Sequence, residues 1–582
     1  MYTLGLATMD NSAAALMKNG VLIAAVENER LTRVKNDGSF PFEAIDEVLR
    51  IANVKAQEIG LIAVYWQPWR LRGRSFGTLA KMLRAPSQAA APAARALTLF
   101  RRSGGEDAAP SGSWADLFRL RRKLTGRYGD IPAAIRYYDH HLTHQLYAEA
   151  MQDWDTYLSL SYDGGGEDAS TVLTAVQNGT RTELSRHRWP NSLGHFYSVF
   201  TGYLGFRMLE GEYKMMGLAP YGEPLWKDDI LNHILRLRSH GRYQLNTRLC
   251  DYHGARKGRF HARLEALFCP QRQPDEAPTQ DHINLAASVQ AAYEEALAHM
   301  LVPARANFPE ITRLALSGGC ALNVTANGKL LERGAVAEVS IPPAPHDAGC
   351  AIGACLAALL DTPVKPDSAS LRTPYLGASF DDADIAAALE AHVTDLPVPL
   401  SDTALTKQTA DLLANGQIIA WFQGAAEFGP RALGTRSFLA DPRNDAIRDA
   451  LNDKIKKREL FRPFAPSVTE SAAQDFFALN QPSPYMNIVA QVLDDKRSII
   501  PAVTHTDGTA RVHTVSREAN PLYHALLTAF GKLTSVPVLL NTSFNIQEPI
   551  VYSPADAVAT FRASGVDALV IGPYIVTRDL LT

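Results

Sequence analysis

The sequence is poor in cysteine and has no Cys-x-x-Cys pair. Its five cysteines are scattered over 582 residues, and no two of them form a Cys-x-x-Cys motif. Disulfide frameworks use an even number of regularly spaced cysteines, so the odd number and wide spacing argue against one. We therefore expect reduced thiols and a cytoplasmic location.

Long apolar runs and a strong excess of charge of one sign are also missing. A transmembrane helix needs about 18 uncharged apolar residues in a row, and no run comes near that length. Residues 1–5 lack the basic start and apolar core of a signal peptide. A formal net charge of −3 gives no general attraction to nucleic acid or to a membrane, so neither is expected as a partner.

The length and composition predict a protein of two or more domains. A chain of 582 residues with 46% hydrophobic content can bury ample core. A composition break rich in Pro, Ser and Asp lies at residues 361–373. We therefore predict a first domain at residues 1–367 and a second, mixed α/β domain at residues 368–582.

Two segments of the first domain repeat one order of elements. Each reads as a strand, a turn with an aspartate, a second strand, Asn-Gly and a further strand; Asp10 and Asp163 hold the two turns. Asn-Gly between apolar runs indicates a hairpin. The repeat predicts a duplicated α/β unit that points one carboxylate turn from each copy into a cleft. A chance match between two hairpins is the alternative interpretation.

A histidine cluster at residues 139–144 follows a strand-like run and opens a helix-like one. His140 and His144 are four positions apart, so on a helix both imidazoles lie on one face. That arrangement is half of a divalent metal site, although a solvated helix start has the same pattern. Asp347 precedes an Ala-rich segment, where it either caps a helix or binds metal.

Glycines and cations mark two further candidate sites. Residues 317–323 place two glycines after a short strand, which suits close approach of a phosphate or ribose, or else a bare turn. Residues 427–462 are rich in Lys and Arg, and a tight loop there presents Arg431 and Arg436. Guanidinium forks match phosphate oxygens, so we predict phosphate or nucleotide binding, with a solvated charged face as the alternative. Residues 443–459 read as an amphipathic helix.

Residues 70–127 stand apart as a basic, aromatic stretch with an Ala- and Pro-rich middle. An exposed helical insertion is one interpretation of this composition. A cap over an anionic or aromatic acceptor and an oligomer contact are the others. No accompanying fold signal supports nucleic-acid binding.

Taken jointly, the motifs of this chain resemble those of the O-carbamoyltransferase family, which includes nodulation-factor and antibiotic-tailoring enzymes. The motifs that carry the resemblance span nearly the whole chain in the expected order; they are residues 139–144, 162–167, 210–219, 317–323, 429–437, 462–466 and 541–545. The resemblance implies an α/β protein of two modules. The first is an actin- and sugar-kinase-like duplicated module, similar to tRNA threonylcarbamoyl transferases. The second is similar to threonylcarbamoyl-adenylate synthases.

The resemblance also implies the chemistry. Carbamoyl phosphate and ATP, which brings Mg²⁺, give carbamoyl adenylate in the second module. The first module then passes the carbamoyl group to an acceptor hydroxyl with the help of a metal. The family points to iron(II), and zinc or another divalent metal is the alternative. The expected acceptor is a small molecule of antibiotic type, with a large aromatic or anionic one as an option; a homodimer stays open.

The resemblance carries roles to particular residues. The implied metal ligands are His140, His144, Asp163 and Asp347. The implied nucleotide-binding residues of the first module are Gly211, Lys214, Gly318, Gly319 and Asn323. The implied carbamoyl phosphate and ATP ligands of the second module are Arg431, Arg436, Lys456, Arg458, Arg462, Arg511, Asn541, Ser543 and Asn545. Lys35 resembles a lysine that the family carries near its transfer site.

One departure from the family concerns the general base. Many members carry a histidine near the N-terminus where this chain has Met9. A thioether takes no proton at neutral pH. Asp10, His141 or an acceptor more acidic than an alcohol has to fill that role.

Two rival functions remain at this point. The first is an enzyme that makes or transfers threonylcarbamoyl adenylate for tRNA modification. The fusion of both modules in this order, together with the motif at residues 429–437, argues against it. The second is a non-catalytic nucleotide-binding regulator with a decayed site, against which the intact cations at positions 431, 456, 458 and 462 argue.

Overall fold

The computed structural model describes residues 1–71 and 114–582, which form two compact units. Unit 1 comprises Met1–Met215, Gly222–Ala326 and Leu330–Arg372, apart from the residues outside the description. Unit 2 comprises Met216–Tyr221, Asn327–Lys329 and Thr373–Thr582. The predicted domain boundary at 367/368 lies close to the division at Arg372, and the roles predicted for the two parts stay predictions.

Unit 1 contains two five-stranded sheets and one short hairpin. The first sheet has the order β3-β2-β1-β4-β5 and the second has the order β12-β11-β6-β7-β8. The strands are β1 (Tyr2–Ala7), β2 (Ala13–Lys18), β3 (Val21–Glu27), β4 (Ile59–Val64), β5 (Ala134–Tyr137), β6 (Thr156–Tyr162), β7 (Ala169–Gln177), β8 (Thr180–Arg188), β11 (Arg313–Ser317) and β12 (Glu338–Ser340), with the hairpin β9 (Leu235–Arg238) and β10 (Arg242–Leu245).

The two sheets have the same topology, and this confirms the predicted duplication. In each, the first strand pairs antiparallel with the second and parallel with the fourth; the second and third are antiparallel, and the fourth and fifth are parallel. Asn19 and Gly20 have φ values of 50° and 85°, and Asn178 and Gly179 have 48° and 79°. Positive φ at both central residues makes the tight hairpin turn that the Asn-Gly pairs predicted.

The helices of the chain before residue 373 pack around these sheets. Numbered over the described residues, they are α1 (Asn28–Thr32), α2 (Phe42–Ala52), α3 (Trp114–Phe118), α4 (Leu120–Tyr128), α5 (His140–Glu149), α6 (Leu193–Tyr203), α7 (Glu212–Leu218), α8 (Lys227–His233), α9 (Tyr252–Ala255), α10 (Arg263–Leu267), α11 (Gln280–Met300), α12 (Val302–Asn307), α13 (Val324–Glu332), α14 (Cys350–Leu359) and α15 (Ser368–Arg372).

Helix α14 packs closely against β1 and α5, because small residues lie at the contacts. A Cβ on Gly5 of β1 would lie 1.9 Å from the Ala351 carbonyl oxygen. A Cβ on Gly353 would lie 1.9 Å from the Thr143 carbonyl oxygen of α5. Both distances are far below van der Waals contact, so glycine is required for α14 to approach β1 and α5 this closely.

Unit 2 is built on one eight-stranded mixed sheet with the order β16-β17-β15-β18-β14-β13-β19-β20. Its strands are β13 (Ile419–Phe422), β14 (Arg436–Ala440), β15 (Ala465–Thr469), β16 (Ile488–Gln491), β17 (Thr509–Val515), β18 (Val538–Ser543), β19 (Ala568–Ile571) and β20 (Tyr574–Thr577). Its helices are α16 (Asp382–Glu390), α17 (Asp402–Ala414), α18 (Ala446–Ala450), α19 (Ala473–Phe476), α20 (Pro521–Thr534) and α21 (Pro554–Ala563).

The core of unit 2 lies where α17 and α20 cover the central strands. Trp421, Leu439, Tyr523 and Phe530 are fully buried in one apolar cluster there. The mixed α/β architecture of both units confirms the predicted fold class. None of the helices in the described residues is long and apolar enough to cross a membrane.

The predicted long helix at residues 443–459 is wrong. The structure has the short helix α18 followed by a π-helical turn at Leu451–Ile455. Ile447, Leu451 and Ile455 are nevertheless buried, with exposed fractions of 7%, 0% and 2%. The apolar spacing therefore identified the buried face correctly, but it could not show that the helix changes its winding after Ala450.

Most of the basic stretch predicted as an insertion at residues 70–127 lies outside the described residues. At the start of this stretch, Arg70 forms ion pairs with Asp139 and Asp168. Helices α3 and α4 form the other end, and Leu117, Leu120 and Leu124 are buried there. The role of the stretch stays a prediction.

We expect Gly353→Ala to destabilise the protein, because the new methyl group has to displace the backbone of α5. The expected loss is about 1–3 kcal/mol of unfolding free energy, the usual range for an overpacked core. Gly126→Ala is the matched control, since a Cβ there meets nothing within 4 Å. Urea unfolding followed by circular dichroism measures both, and equal midpoints for the two variants would contradict the packing described here.

Candidate metal centre and cationic site

The start of α5 is held by two carboxylates. Asp139 is the N-cap residue, and its Oδ1 accepts a hydrogen bond from Leu142 N at 3.0 Å. Glu167 Oε1 accepts from His140 N at 3.2 Å. Acidic groups satisfy the free N–H groups and the positive end of a helix. They fix where α5 begins and therefore which way His140 and His144 point.

Four potential metal ligands converge in unit 1. Nε2 of His140 lies 3.2 Å from Asp163 Oδ2 and 4.0 Å from Asp347 Oδ1. Nε2 of His144 lies 3.9 Å and 3.5 Å from the same two oxygens. The four ligand atoms are all within 4.8 Å of one another, and both imidazoles are buried. The structure thus brings together all four residues that the resemblance named as ligands.

Each carboxylate uses one oxygen for the protein and directs the other at the imidazoles. Asp163 Oδ1 accepts from Gly319 N at 3.1 Å, which leaves Oδ2 toward His140. Asp347 Oδ2 accepts from Tyr65 Oη at 3.4 Å, which leaves Oδ1 toward His144. This division suits one ligand oxygen from each carboxylate.

The charges of this cluster are unbalanced. Burial, and then the negative charge of Asp163, raise the pKa of Asp347 to about 8. Burial also lowers the pKa of His144 to about 4, so this imidazole is neutral, and its Nε2 has no hydrogen-bond partner among the described residues. Burial raises the pKa of Asp163, but its hydrogen bonds, chiefly that to His140, outweigh burial and hold this pKa well below its usual range.

A divalent cation would satisfy both features of this cluster. It supplies positive charge between two crowded carboxylates and accepts the free lone pair of His144. Cys350 forms an alternative ligand group with the two histidines. Burial raises the pKa of the Cys350 thiol well above its usual value, and only a thiolate is a good metal ligand. The set of two histidines and two aspartates is therefore the better fit.

The glycine loop at residues 317–323 lies directly beside these ligands. Gly318 has a φ of +92°, and a Cβ there would lie 2.0 Å from the Tyr162 carbonyl oxygen. Its N–H donates to Pro345 O at 2.8 Å, two residues before Asp347. The loop thus ties the turns of Asp163 and Asp347 together, and no other residue type fits at Gly318.

The remaining predicted nucleotide ligands have mixed surroundings. Asn323 is largely occupied within unit 1, since its Nδ2 donates to Gln290 and its Oδ1 accepts from Ala326 N, both at 3.0 Å. Gly211 is buried at the start of α7, and Lys214 is half-buried on that helix. The nucleotide role of these residues stays a prediction.

The candidate catalytic residues differ in their exposure to solvent. His141 is buried; its Nδ1 lies 2.8 Å from Ser161 Oγ, and burial together with the neighbouring His140 lowers its pKa to about 3. Asp10 is exposed on the turn after β1, and desolvation raises its pKa, with Arg256 opposing and Asp163 reinforcing the shift. Lys35 is exposed in the loop after α1.

Sequence reasoning missed several residues at this site. Tyr65 hydrogen-bonds Asp347 from the end of β4, and His346 Nε2 lies 3.4 Å from Glu27 Oε1. The rings of His195 and Tyr252 stack with centroids 3.8 Å apart. Glu167 belongs to the motif at residues 162–167, and only its place in that glycine-rich turn could have indicated a role. The other residues reach the site through tertiary contacts, which the sequence does not reveal.

Unit 2 contains a cluster of arginines. Burial, and then the charges of Arg431, Arg458 and Arg462, lower the pKa of Arg511 well below its usual value. Burial lowers the pKa of Arg431 to about 10. Arg462 lies 3.8 Å from Glu459, whereas neither Arg431 nor Arg511 has a carboxylate partner within the part of the chain that the structure describes. Three guanidiniums within electrostatic reach of Arg511 predict an anionic ligand.

Lys456 connects the cationic segment at residues 427–462 to the predicted motif at residues 541–545. Its Nζ donates to Ser543 O at 2.6 Å and to both Asn545 O and Asn545 Oδ1 at 2.7 Å. These three contacts can use all three ammonium protons. The lysine thus holds the loop after β18 beside the segment that carries Arg458.

Two residues predicted as anion ligands of unit 2 are instead buried and form hydrogen bonds within it. Arg436 is 0% exposed, donates to the carbonyls of Gln423, Thr435 and Gly424, and stacks 3.6 Å over the Phe422 ring. Asn541 is equally buried and donates to Ala432 O at 3.2 Å and Ser467 Oγ at 3.0 Å. Both support the loop that carries Arg431, and the structure does not bring Arg436 into the arginine cluster.

The fold and the two sites define an α/β protein with a cluster of potential metal ligands in one unit and a cluster of arginines in the other. A family model described as Carbamoyltransferase N-terminus matches residues 114–356. A second, described as Carbamoyltransferase C-terminus, matches residues 410–578. With the full-length relatives below, these matches show that the chain belongs to the carbamoyltransferase family and is a carbamoyltransferase, as the resemblance predicted.

Two of the following relatives match over nearly the whole chain. An uncharacterized protein of Synechocystis sp. is 37% identical over 98% of this chain and 95% of its own length. Nodulation protein NolNO of Sinorhizobium fredii is 38% identical over 98% of this chain and 79% of its own. The 3'-hydroxymethylcephem-O-carbamoyltransferase of Amycolatopsis lactamdurans is 36% identical over 46% and 49%, respectively.

Similarity to solved structures is remote. Full-length HypF in its phosphate- and nucleotide-bound form is similar over 62% of this chain and 56% of its own, with 12% identity and a TM-score of 0.34. That likeness is too low to inform the site.

We expect Asp347→Asn to have opposite effects with and without a divalent metal. In the metal-free protein the pKa of Asp347 is about 8 against 3.8 in the unfolded chain. The native state therefore binds the extra proton, and its stability falls as the pH rises from about 4 to about 8. Asparagine removes this loss, so the metal-free variant should melt higher than the unsubstituted protein at pH 8, and less so at pH 5.

With Zn²⁺ or Fe²⁺ present, the same variant should bind the metal at least about tenfold more weakly, because a charged ligand is lost. Asp361→Asn is the control, since Asp361 is exposed and lies 3.7 Å from Arg136. Differential scanning fluorimetry and metal titration give both readouts. An Asp347→Asn protein that melts lower at pH 8 without metal would contradict the charge imbalance.

Proposed function

We propose that this chain is an ATP-dependent O-carbamoyltransferase. Residues 368–582 form carbamoyl adenylate from carbamoyl phosphate and ATP, which enters with Mg²⁺. Residues 1–367 transfer the carbamoyl group to a hydroxyl of a small acceptor, with a divalent metal, iron(II) in the first instance. The protein works in the cytoplasm.

The observation that carries the proposal is the arginine cluster of unit 2. Arg511 lies within electrostatic reach of the guanidiniums of Arg431, Arg458 and Arg462, and neither Arg431 nor Arg511 has a carboxylate partner among the described residues. Such a group is costly in the absence of an anion, and phosphate oxygens match guanidinium forks. Carbamoyl phosphate and the ATP phosphates are anions of this kind, and the family supplies the carbamoyl chemistry.

Carbamoyl adenylate forms in two steps in which the atoms balance. One water cleaves carbamoyl phosphate into carbamate and inorganic phosphate. An oxygen of carbamate then attacks the α-phosphorus of ATP, forming the anhydride bond of carbamoyl adenylate and releasing pyrophosphate. Arginine side chains stabilise the charge that develops on the phosphate oxygens during this displacement.

Transfer follows as an attack of the acceptor hydroxyl on the carbamoyl carbon. The bond to AMP breaks, AMP leaves, and the hydroxyl proton passes to a base. Asp10 suits this role by its exposure, while His141 is buried and held by Ser161. A metal bound by His140, His144, Asp163 and Asp347 would supply a Lewis acid for the carbamoyl oxygen.

The acceptor class follows from relatives. The cephem enzyme of Amycolatopsis lactamdurans is by its name an O-carbamoyltransferase that acts on a hydroxymethyl group. Nodulation protein NolNO covers almost the whole of this chain. A hydroxyl-bearing secondary metabolite is therefore the proposed acceptor, and the basic, aromatic stretch at residues 70–127 suits a large aromatic or anionic one.

We expect Arg511→Ala and Arg431→Ala to reduce carbamoyl adenylate formation by about a hundredfold or more, since each removes a charged contact to phosphate. Arg448→Ala is the matched control; Arg448 belongs to the same cationic segment but pairs with Asp449 at 3.3 Å. Pyrophosphate release and mass spectrometry of carbamoyl adenylate provide the measurement. Full activity of both cluster variants would rule out this cluster as the adenylation site.

Incubation of the unsubstituted protein with ATP, bicarbonate and threonine separates the proposal from a threonylcarbamoyl-adenylate synthase. Carbamoyl adenylate should form only from carbamoyl phosphate. Threonylcarbamoyl adenylate as the main product would refute the proposal, and no adenylate of either kind would favour a non-catalytic regulator.

We expect His144→Ala to lose bound metal and acceptor carbamoylation while keeping carbamoyl adenylate formation, because the two steps use different units. Metal content by mass spectrometry, pyrophosphate release and acceptor product are measured on one preparation. Loss of both activities together in a normally folded variant would argue against two separate sites.

A further inference from the structure

His505 begins a tight loop that leads into β17. Its N–H donates to Thr509 O at 2.7 Å, and its carbonyl accepts from Gly508 N at 2.9 Å. Its ring Nδ1 lies 3.1 Å from Thr509 Oγ1, and the Thr509 hydroxyl lies 2.7 Å from Asp507 Oδ1. The imidazole is therefore fixed by the side chain of the first residue of β17.

The hydrogen-bond network determines the tautomer of this imidazole. The Thr509 hydroxyl has one hydrogen, and the Asp507 carboxylate takes it because a carboxylate only accepts. The Thr509 oxygen must then accept from His505, so Nδ1 carries the proton. Burial lowers the pKa of His505 to about 4; the charge of Asp507 opposes this shift and that of Arg511 reinforces it, and the ring is neutral at pH 7.

His505 Nε2 is consequently a lone pair without a donor. This atom is buried and has no hydrogen-bond partner among the described residues. A buried acceptor that lacks a donor is unfavourable for folding, and a bound ligand with an N–H or O–H group removes that cost.

The position of His505 links it to the arginine cluster. Thr509 and Arg511 are two residues apart on β17, so their side chains lie on the same face of the sheet. His505 contacts Thr509 on that face and lies within electrostatic reach of Arg511. A neutral acceptor therefore stands beside Arg511, which has no carboxylate partner among the described residues.

Carbamoyl phosphate has one group that fits this acceptor. Its phosphate and carbonyl oxygens accept hydrogen bonds and match the arginines, whereas its amino group carries its only N–H donors. We infer that His505 is a specificity-determining residue whose Nε2 accepts an N–H of the carbamoyl group, so that the site prefers carbamoyl phosphate over acyl phosphates without nitrogen. The inference rests on the proposed function of unit 2.

The test compares carbamoyl phosphate with acetyl phosphate, which replaces the amino group by a methyl group. Dissociation constants are measured by calorimetry on the full-length protein without ATP, so that no turnover is needed. The unsubstituted protein should prefer carbamoyl phosphate by about tenfold or more, the value of one buried hydrogen bond.

Two variants separate the acceptor atom from the loop. The amide of Asn in H505N reaches the position of Nδ1 and keeps the bond to Thr509, and the amide of Gln in H505Q reaches the position of Nε2. H505N should lose the preference through weaker carbamoyl phosphate binding, with acetyl phosphate unchanged, and H505Q should retain it. His524→Asn, on the half-exposed His524 of the same unit, is the control.

Several results would overturn the inference. They are equal binding of both phosphates by the unsubstituted protein, a preserved preference in H505N, equal loss of both ligands in H505N, and an H505Q protein that behaves like H505N. A shift in ATP affinity alone would assign Nε2 to the adenine amino group instead.

Pyrophosphate release by the unsubstituted protein, measured separately, tests the proposed function. Its absence alongside a persisting preference for carbamoyl phosphate would refute adenylation and leave the assignment of His505 intact.

Discussion

Two carboxylates and two imidazoles occupy one buried volume in unit 1, and the local structure depends on how their charge is balanced. Asp163 and Asp347 come from different loops, yet both direct an oxygen at the same histidine pair. Asp347 holds a proton up to about pH 8 in the absence of a cation. The glycine contacts at Gly318 and Gly353, which allow no side chain, hold the loops and helices in this arrangement.

Unit 2 presents the opposite imbalance. Burial, and then the charges of three neighbouring arginines, lower the pKa of Arg511, which has no carboxylate partner among the described residues. Buried charge without its complement is unfavourable for folding, and binding sites are where proteins retain it. The carboxylate cluster of unit 1 thus favours a cation, and the arginine cluster of unit 2 favours an anion. Both agree with membership of the carbamoyltransferase family.

Local patterns in the sequence predicted part of this well. The spacing of His140 and His144 predicted their common face, and the Asn-Gly pairs predicted hairpins that reveal the duplication. Asp347 remained open between helix cap and ligand; in the structure it starts a 3-10 turn with His346 at the cap position, and its carboxylate caps nothing. That choice depended on Tyr65 and the histidines, which are far away in sequence.

Other features depended on tertiary structure that no local pattern encodes. Arg436 looked like Arg431 in the loop, but it begins β14 and turns its guanidinium to backbone carbonyls. The winding change after Ala450 leaves the apolar spacing intact, so periodicity could not reveal it. His505 carries no motif; its tautomer follows only from the contacts of Thr509 and Asp507.

X-ray absorption spectroscopy of the purified, metal-loaded protein tests the central claim of a cation balanced by His140, His144, Asp163 and Asp347. The account predicts nitrogen and oxygen ligands alone, at about 2.0–2.2 Å. A sulfur ligand at about 2.3 Å would assign the metal to Cys350, and a protein that binds no divalent metal would contradict the account altogether.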